Sequence, residues 1–186
     1  MIFLILGLAL WWGAHLWKRV APESRAQFGS VGKVVVAGKL VLAILLMVMG
    51  YHSWTGPVWW GRTAALTGIN NLLVVLGFYV YATGAPKPGK PRTWVGRHLR
   101  HPQLVGFSLW ALGHLVVNGD LASFVLFGGL LAWALAEIAL INRAEPDWTP
   151  PPAGGARKEI VAIVLTVVIV AIVAAIHNWL GYNPFG

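Results

Sequence analysis

Long apolar runs alternate with short polar ones along this chain, and the lengths of the runs carry the first inference. A helix needs about 20 predominantly apolar residues to cross the hydrocarbon core of a bilayer. Stretches of that kind fall at roughly 2–17, 34–51, 63–82, 103–117, 121–141 and 160–180. The first and fourth are short, which calls for little tilt or a locally thinned bilayer. The pattern predicts an all-α integral membrane protein, a bundle of about six transmembrane helices, with no room for a sizeable soluble domain.

The segments between the runs are well punctuated. Ala85-Pro86-Lys87-Pro88-Gly89-Lys90-Pro91 and Pro146 to Gly155 are proline-broken and cannot be helical through their interiors. Asn118-Gly119-Asp120 reads as a tight turn in which Gly119 supplies permissive backbone and Asp120 caps the next helix, so the fourth and fifth spans form an antiparallel hairpin. The expected organisation is a five-span helical membrane domain over 1–145, a proline-rich loop over 146–158, and a sixth helix with a short tail over 159–186. The first stretch has no basic leading region and no small-residue cleavage site, and it carries Trp11, Trp12 and Trp17; it is expected to be a retained helix rather than a signal peptide. The sixth, rich in Val, Ile and Ala, is expected to face lipid and to be chemically idle.

Composition strengthens this picture. Of 186 residues 58% are hydrophobic and 11% charged, against roughly 25% charged in an ordinary soluble domain. The net charge of +8 is informative through its distribution. Lys18, Arg19, Arg25, Lys33 and Lys39 belong to the first connection or the turn after it; Lys87, Lys90, Arg92, Arg97 and Arg100 to the third; Arg143, Arg157 and Lys158 to the fifth. Only Arg62 lies in an even-numbered connection, so 13 of the 14 Lys and Arg fall on one side. By the positive-inside rule that side is cytoplasmic and both termini are periplasmic if the membrane is a bacterial inner membrane. The charge serves orientation and contact with anionic lipid headgroups, not nucleic acid. The chain has no cysteine, which excludes disulfides, thiolate nucleophiles and Cys-ligated zinc or haem.

Ionisable groups within spans are costly and are functional candidates by default. Of the six histidines, His52 and His177 lie at outer helix ends among tryptophan and tyrosine, where they read as interfacial anchors. His98 and His101, three apart beside Arg97 and Arg100, read as a solvated cytoplasmic face. His15 and His114 differ: each lies inside an apolar helix, and each follows a tryptophan by four residues (Trp11, Trp110), so it shares a face with it. Imidazoles on facing helices are the usual means by which a bundle holds haem, and Arg97, Arg100, Arg19 or Lys18 at helix ends could meet its propionates. Asn70 and Asn71 are expected to hydrogen-bond between helices, and Glu137 to pair with an arginine of the third connection. Some of the eleven tryptophans exceed what an interfacial belt needs and suit the wall of an apolar pocket.

Three blocks then carry a family resemblance: Arg100-His101-Pro102-Gln103-Leu104-Val105-Gly106-Phe107, Leu109-Trp110-Ala111-Leu112-Gly113-His114-Leu115, and Asn118-Gly119-Asp120-Leu121-Ala122-Ser123. Together they resemble the signature of the NnrU family, and Leu6-Gly7-Leu8-Ala9-Leu10 leading to His15 resembles that family's opening, over about residues 1–145. The resemblance implies a membrane protein linked to denitrification, with the 15-cis-zeta-carotene isomerases (Z-ISO) of plants and cyanobacteria as haem-b-binding relatives. In those relatives ferrous haem acts as a Lewis acid on a polyene. Carried over by position, the resemblance implies His15 and His114 as iron ligands and catalytic residues, with His101 an alternative; Arg97 and Arg100, by their place at the mouth of the fourth span, and Trp110, on the face of His114, are further candidate cofactor contacts. The implied ligand of the protein beyond lipid is an apolar polyene or nitric oxide.

Depth complicates that pair. His114 lies thirteen residues beyond His101, about 20 Å along a straight helix, whereas His15 is one to two turns from the cytoplasmic surface. Either the helices tilt, or the Arg-His-Pro segment dips into the membrane, or His15 pairs with His101. Arg100-His101-Pro102 with Gly106 and a later Glu137 or Glu145 is also similar to membrane methyltransferases that use S-adenosylmethionine. Here the two glutamates are eight apart rather than adjacent, and a buried His114 has no role in such an enzyme.

Overall fold

In the computed structural model, which describes residues 1–185, all six apolar stretches are helical. Helix α1 (Ile2–Val20) leads through the short α2 (Pro22–Ala26) to α3 (Val31–His52). Strand β1 (Val58–Trp60) precedes α4 (Ala64–Thr83), and the short α5 (Trp94–His98) precedes α6 (Pro102–Val117). Strand β2 (Gly119–Asp120) opens a long helix made of α7 (Leu121–Ser123), a π-helical segment at Phe124–Gly128, and α8 (Gly129–Ala144); α9 (Gly155–Trp179) completes the chain. Side-chain oxygens cap several starts: Thr63 Oγ1 accepts from Leu66 N at 3.2 Å, and Thr93 Oγ1 from Gly96 N at 3.0 Å. Each satisfies one of the backbone donors a helix start leaves without an intrahelical partner.

Among the described residues four helices are both long and apolar enough to cross a membrane: Val31–His52, Ala64–Thr83, the continuous Leu121–Ala144, and Gly155–Trp179. The expected six spans are thus four by this measure, with two further helices packed among them. The reasons differ. Helix α6 has 16 residues, about 24 Å at 1.5 Å per residue. Helix α1 has adequate length, but His15, Lys18 and Arg19 in its last turns dilute its apolar character. The last helix starts at Gly155, five residues before the expected apolar run, because Ala156 to Glu159 form a polar first turn.

Glycine sets the helix packing. A Cβ on Gly7 would meet the Met47 side chain and the Ala43 carbonyl, and Gly50 lies against the Leu4 backbone, so α1 and α3 pack antiparallel at close range. Gly77 and Gly106 face each other across α4 and α6, and Gly113 lies against Asn70, again antiparallel. Small residues that let backbones approach are the usual packing device where lipid tails are as apolar as the helices themselves. Helix α8 packs across α6 and α1, and α9 packs on α4. The buried cluster of Leu4, Leu8, Ala43, Met47, Ala122 and Leu130 joins α1, α3 and the Leu121–Ala144 helix. Outside it, α3 and α9 present Val34, Val41, Leu45, Val161, Val164 and Val167 outward. An apolar exterior of this extent is that of a membrane protein.

The two ends of the bundle are unlike. At one end the three basic connections meet. Arg19 Nε donates to Glu137 Oε1 at 3.1 Å and its Nη1 reaches Glu145 at 3.5 Å. Arg100 donates to the carbonyls of Glu145 and Pro146. The two proline loops are laced together, Arg92 N donating to Pro152 O and Gly154 N to Arg92 O. Glu137 was expected to pair with the third connection; it pairs with the first, because α8 ends beside α1 while Arg100 is engaged by carbonyls just past the end of α8. At the opposite end the antiparallel β1–β2 ribbon closes the bundle, and Trp60 Nε1 donates to Val116 O at 3.1 Å. The turn at Asn118 to Asp120 forms as expected: Asp120 Oδ1 accepts from Ser123 N at 2.9 Å and Oδ2 from Ser123 Oγ at 2.6 Å.

Candidate functional site

A cavity of about 650 Å³ lies toward the ribbon end, between α3, α4, α6, the π-helical segment and α9, with Trp11 of α1 and Leu130 of α8 also on its wall. His114, expected from the sequence, is on its wall with Trp110, as are Asn70 and Asn71. His114 Nδ1 lies 2.9 Å from Trp110 O. A carbonyl can only accept, so Nδ1 carries the proton and the Nε2 lone pair is left for a ligand, the arrangement that fixes tautomer and ring in metal-binding histidines. The ring is held between Trp110, at 4.8 Å between centroids, and Phe127, at 4.7 Å. Phe127 reaches it from the π-helical segment, an insertion that recurs at functional sites because it re-aims side chains. That segment is anchored by the Asp120 cap and by Tyr51 Oη, 2.9 Å from Ser123 Oγ.

The paired asparagines behave differently from expectation. Asn70 Nδ2 donates to Asn71 Oδ1 at 3.0 Å, so they bond to each other rather than across helices. Asn70 is 8% exposed and its Oδ1 has no partner among the described residues, an acceptor left at the cavity's edge beside Gly113.

Two histidines that sequence reasoning assigned to interfacial anchoring also line this cavity, His52 and His177, and so does Arg62. His177 repeats the geometry of His114, with Nδ1 2.8 Å from Val173 O. Helix α9 was expected to be idle; through Val170, Val173, Ala174 and His177 it forms one wall. A signal was present in the sequence. The second, fourth and sixth apolar stretches all start at the basic side, and each carries a histidine within the last turn of its helix (His52, His114, His177), which puts all three toward the same end of the bundle.

The remaining expected site residues lie elsewhere. His15 is tethered by Nδ1 to Trp11 O at 3.0 Å, with Trp11 and Trp133 each 4.4 Å away between centroids. Trp133 is 5% exposed and its Nε1 lacks a partner among the described residues. Among the described residues no ring contact joins His15 to His114 directly. They connect through Trp11, Phe107 and Trp110, at 6.3 Å and 5.1 Å between successive centroids. His101 lies at the basic end with Nε2 2.8 Å from Asn142 Oδ1. Arg97 and Arg100 belong to that end too and do not line the cavity. His98 is exposed and bonded to Trp94 O, as a solvated face requires.

These donors discriminate between cofactors. Among the described residues no group of three or more His, Cys, Asp or Glu could enclose a bare metal ion. The cavity instead offers single imidazoles, an aromatic wall of Phe107, Trp110 and Phe127, and one cation, Arg62. That set fits a metal that brings its own equatorial ligands and carries acidic groups at one edge, as haem does. At the other end Glu137 and Glu145 converge on Arg19, which neutralises the pair that a methyltransferase reading would use. The family model described as NnrU protein matches residues 3–184, running through α9 as well as the blocks in α6 and α7. No curated protein and no solved structure matches the chain.

Proposed function

The chain belongs to the NnrU family, and we propose that it is a haem-b-binding membrane protein that acts as a cis-trans isomerase on a carotenoid such as 15-cis-zeta-carotene. One observation carries the reading: a cavity inside an apolar bundle holds His114 with a tethered Nδ1 and an available Nε2, among aromatic walls. Six spans in a bacterial inner membrane, with the basic end cytoplasmic and both termini periplasmic, complete the proposal.

Haem bound there supplies a Lewis-acidic ferrous iron able to withdraw electron density from a polyene and lower its double-bond rotation barrier. The chain's own residues have the other tasks. His114 would hold the iron through Nε2, with the Trp110 carbonyl fixing its ring. Phe107 and Phe127 exclude water, and Asn70 and Asn71 offer polar atoms at the edge. Arg62, whose Nη1 donates to Asn183 O at 2.6 Å, would meet a propionate.

A second reading is a non-catalytic haem protein of denitrification and nitric-oxide metabolism, and the cavity's size favours it. About 650 Å³ is mid-range for a pocket holding one cofactor-sized molecule; with haem inside, a diatomic gas fits more readily than a long polyene, which must lie against the lipid-facing side. The test is incubation of reduced, haem-loaded protein with 9,15,9′-tri-cis-zeta-carotene, followed by chromatography. Formation of the 9,9′-di-cis product in the reduced state alone supports the isomerase. No product from haem-replete protein that binds nitric oxide rejects it in favour of the second reading.

A further inference from the structure

We infer that the second axial ligand of this haem is His177, from the last helix, rather than His15 from the first. The inference rests on the haem reading above and adds the opposite face of the iron to it.

Two observations separate His177 from His15, the cavity lining and the depth, and a third, the tethered Nδ1, is common to all three histidines. His114 and His177 line one cavity, whereas His15 does not. Each has Nδ1 held by the carbonyl four residues earlier in its own helix, at 2.9 and 2.8 Å, so each leaves Nε2 as the ligating atom with its ring orientation set. Their depths also agree. Helices α6 and α9 both begin at the basic end and both pack on α4; His114 stands three residues before the end of α6 and His177 two before the end of α9. Measured from those ends they are within one turn of each other. His15 stands five residues before the end of α1, which lies at the opposite end of the bundle, and a stack of three rings separates it from His114. His52 shares the cavity, but it is exposed and, among the described residues, no hydrogen bond fixes its ring.

This ligand set also explains a feature that the orientation rule leaves as an exception. Arg62, alone among the 14 Lys and Arg outside the basic connections, is the one that lines the cavity. A cation is required there by an anionic edge, not by topology.

The experiment uses the detergent-purified full chain carrying the haem with which it is expressed, read by absorption and electron paramagnetic resonance, with redox titration. Wild type is expected to be six-coordinate and low-spin in the ferric state. His177→Ala is expected to become high-spin, with added imidazole restoring the low-spin signal. His177→Met, which keeps a ligand but replaces imidazole by thioether, is expected to stay low-spin with a raised midpoint potential. His15→Ala is expected to keep the wild-type spectrum and haem content. Low-spin signals unchanged in both His177 variants would overturn the inference while leaving the haem reading intact, as would a high-spin conversion confined to His15→Ala. Wild-type protein without haem would overturn both.

Discussion

The ion pair at the basic end makes an asymmetric prediction. Glu137 is 12% exposed at its side chain and Arg19 25%; they meet at 3.1 Å, and Glu137 Oε2 is buried with no partner among the described residues. Arg19→Met leaves a carboxylate in apolar surroundings with neither oxygen satisfied. Breaking a buried pair this way costs about 3–5 kcal/mol, and the partial exposure of Arg19 reduces that to about 2–3 kcal/mol. Glu137→Leu is milder. Arg19 retains Glu145 at 3.5 Å and can extend its head group toward water, so the cost is about 0–1 kcal/mol. The double variant removes both charges and is expected to be near the Glu137→Leu value, giving a coupling of about 2 kcal/mol. Unfolding of detergent-solubilised protein followed by intrinsic tryptophan fluorescence gives all four corners of the cycle. Equal single costs that add in the double variant refute the argument, because they mean that neither partner is stranded by loss of the other. The haem spectrum is expected to stay constant across the cycle, since neither residue lines the cavity.

Gly106→Val is expected to destabilise the protein by about 1–3 kcal/mol and to weaken haem retention, because the new side chain meets Gly77 O and the Tyr81 backbone and pushes α6, with His114, off α4; thermal unfolding and haem content measure the two effects. Arg62→Gln is expected to increase haem loss to apomyoglobin several-fold while Arg100→Gln leaves it unchanged, and the reverse order would return the propionates to the basic end. Carboxy-terminal reporter fusions are expected to give high alkaline phosphatase activity and low green fluorescence, and the opposite result overturns the orientation.

The apolar runs show where the helices are, since length and composition are local properties of the chain. The same holds for the turn at Asn118 to Asp120, whose cap needs no partner beyond Ser123. Which helix lies beside which is not local. The Gly77 and Gly106 contact, the Arg19 and Glu137 pair and the lacing of Arg92 to Pro152 each join positions far apart in sequence, and nothing in either member specifies the other. The candidate site shows the same division. His114 stands out because it is an ionisable residue in an apolar helix beside a tryptophan. His177 does not, because a histidine at a helix end near Trp179 is indistinguishable by local pattern from an interfacial anchor. Its importance comes from the packing of α9 on α4. The π-helical segment was also invisible, since Phe124 to Gly128 reads as ordinary apolar helix, yet it delivers Phe127 to His114.

The central claim, that this bundle holds haem b, is tested most directly by the absorption spectrum of the detergent-purified protein before and after dithionite, with pyridine haemochrome quantification. The account predicts a Soret band, b-type bands that sharpen on reduction, about one haem per chain, and loss or shift of those bands in His114→Ala. A colourless protein that stays colourless after incubation with haemin would contradict it, and binding of S-adenosylmethionine by that colourless protein would turn the assignment to the basic end.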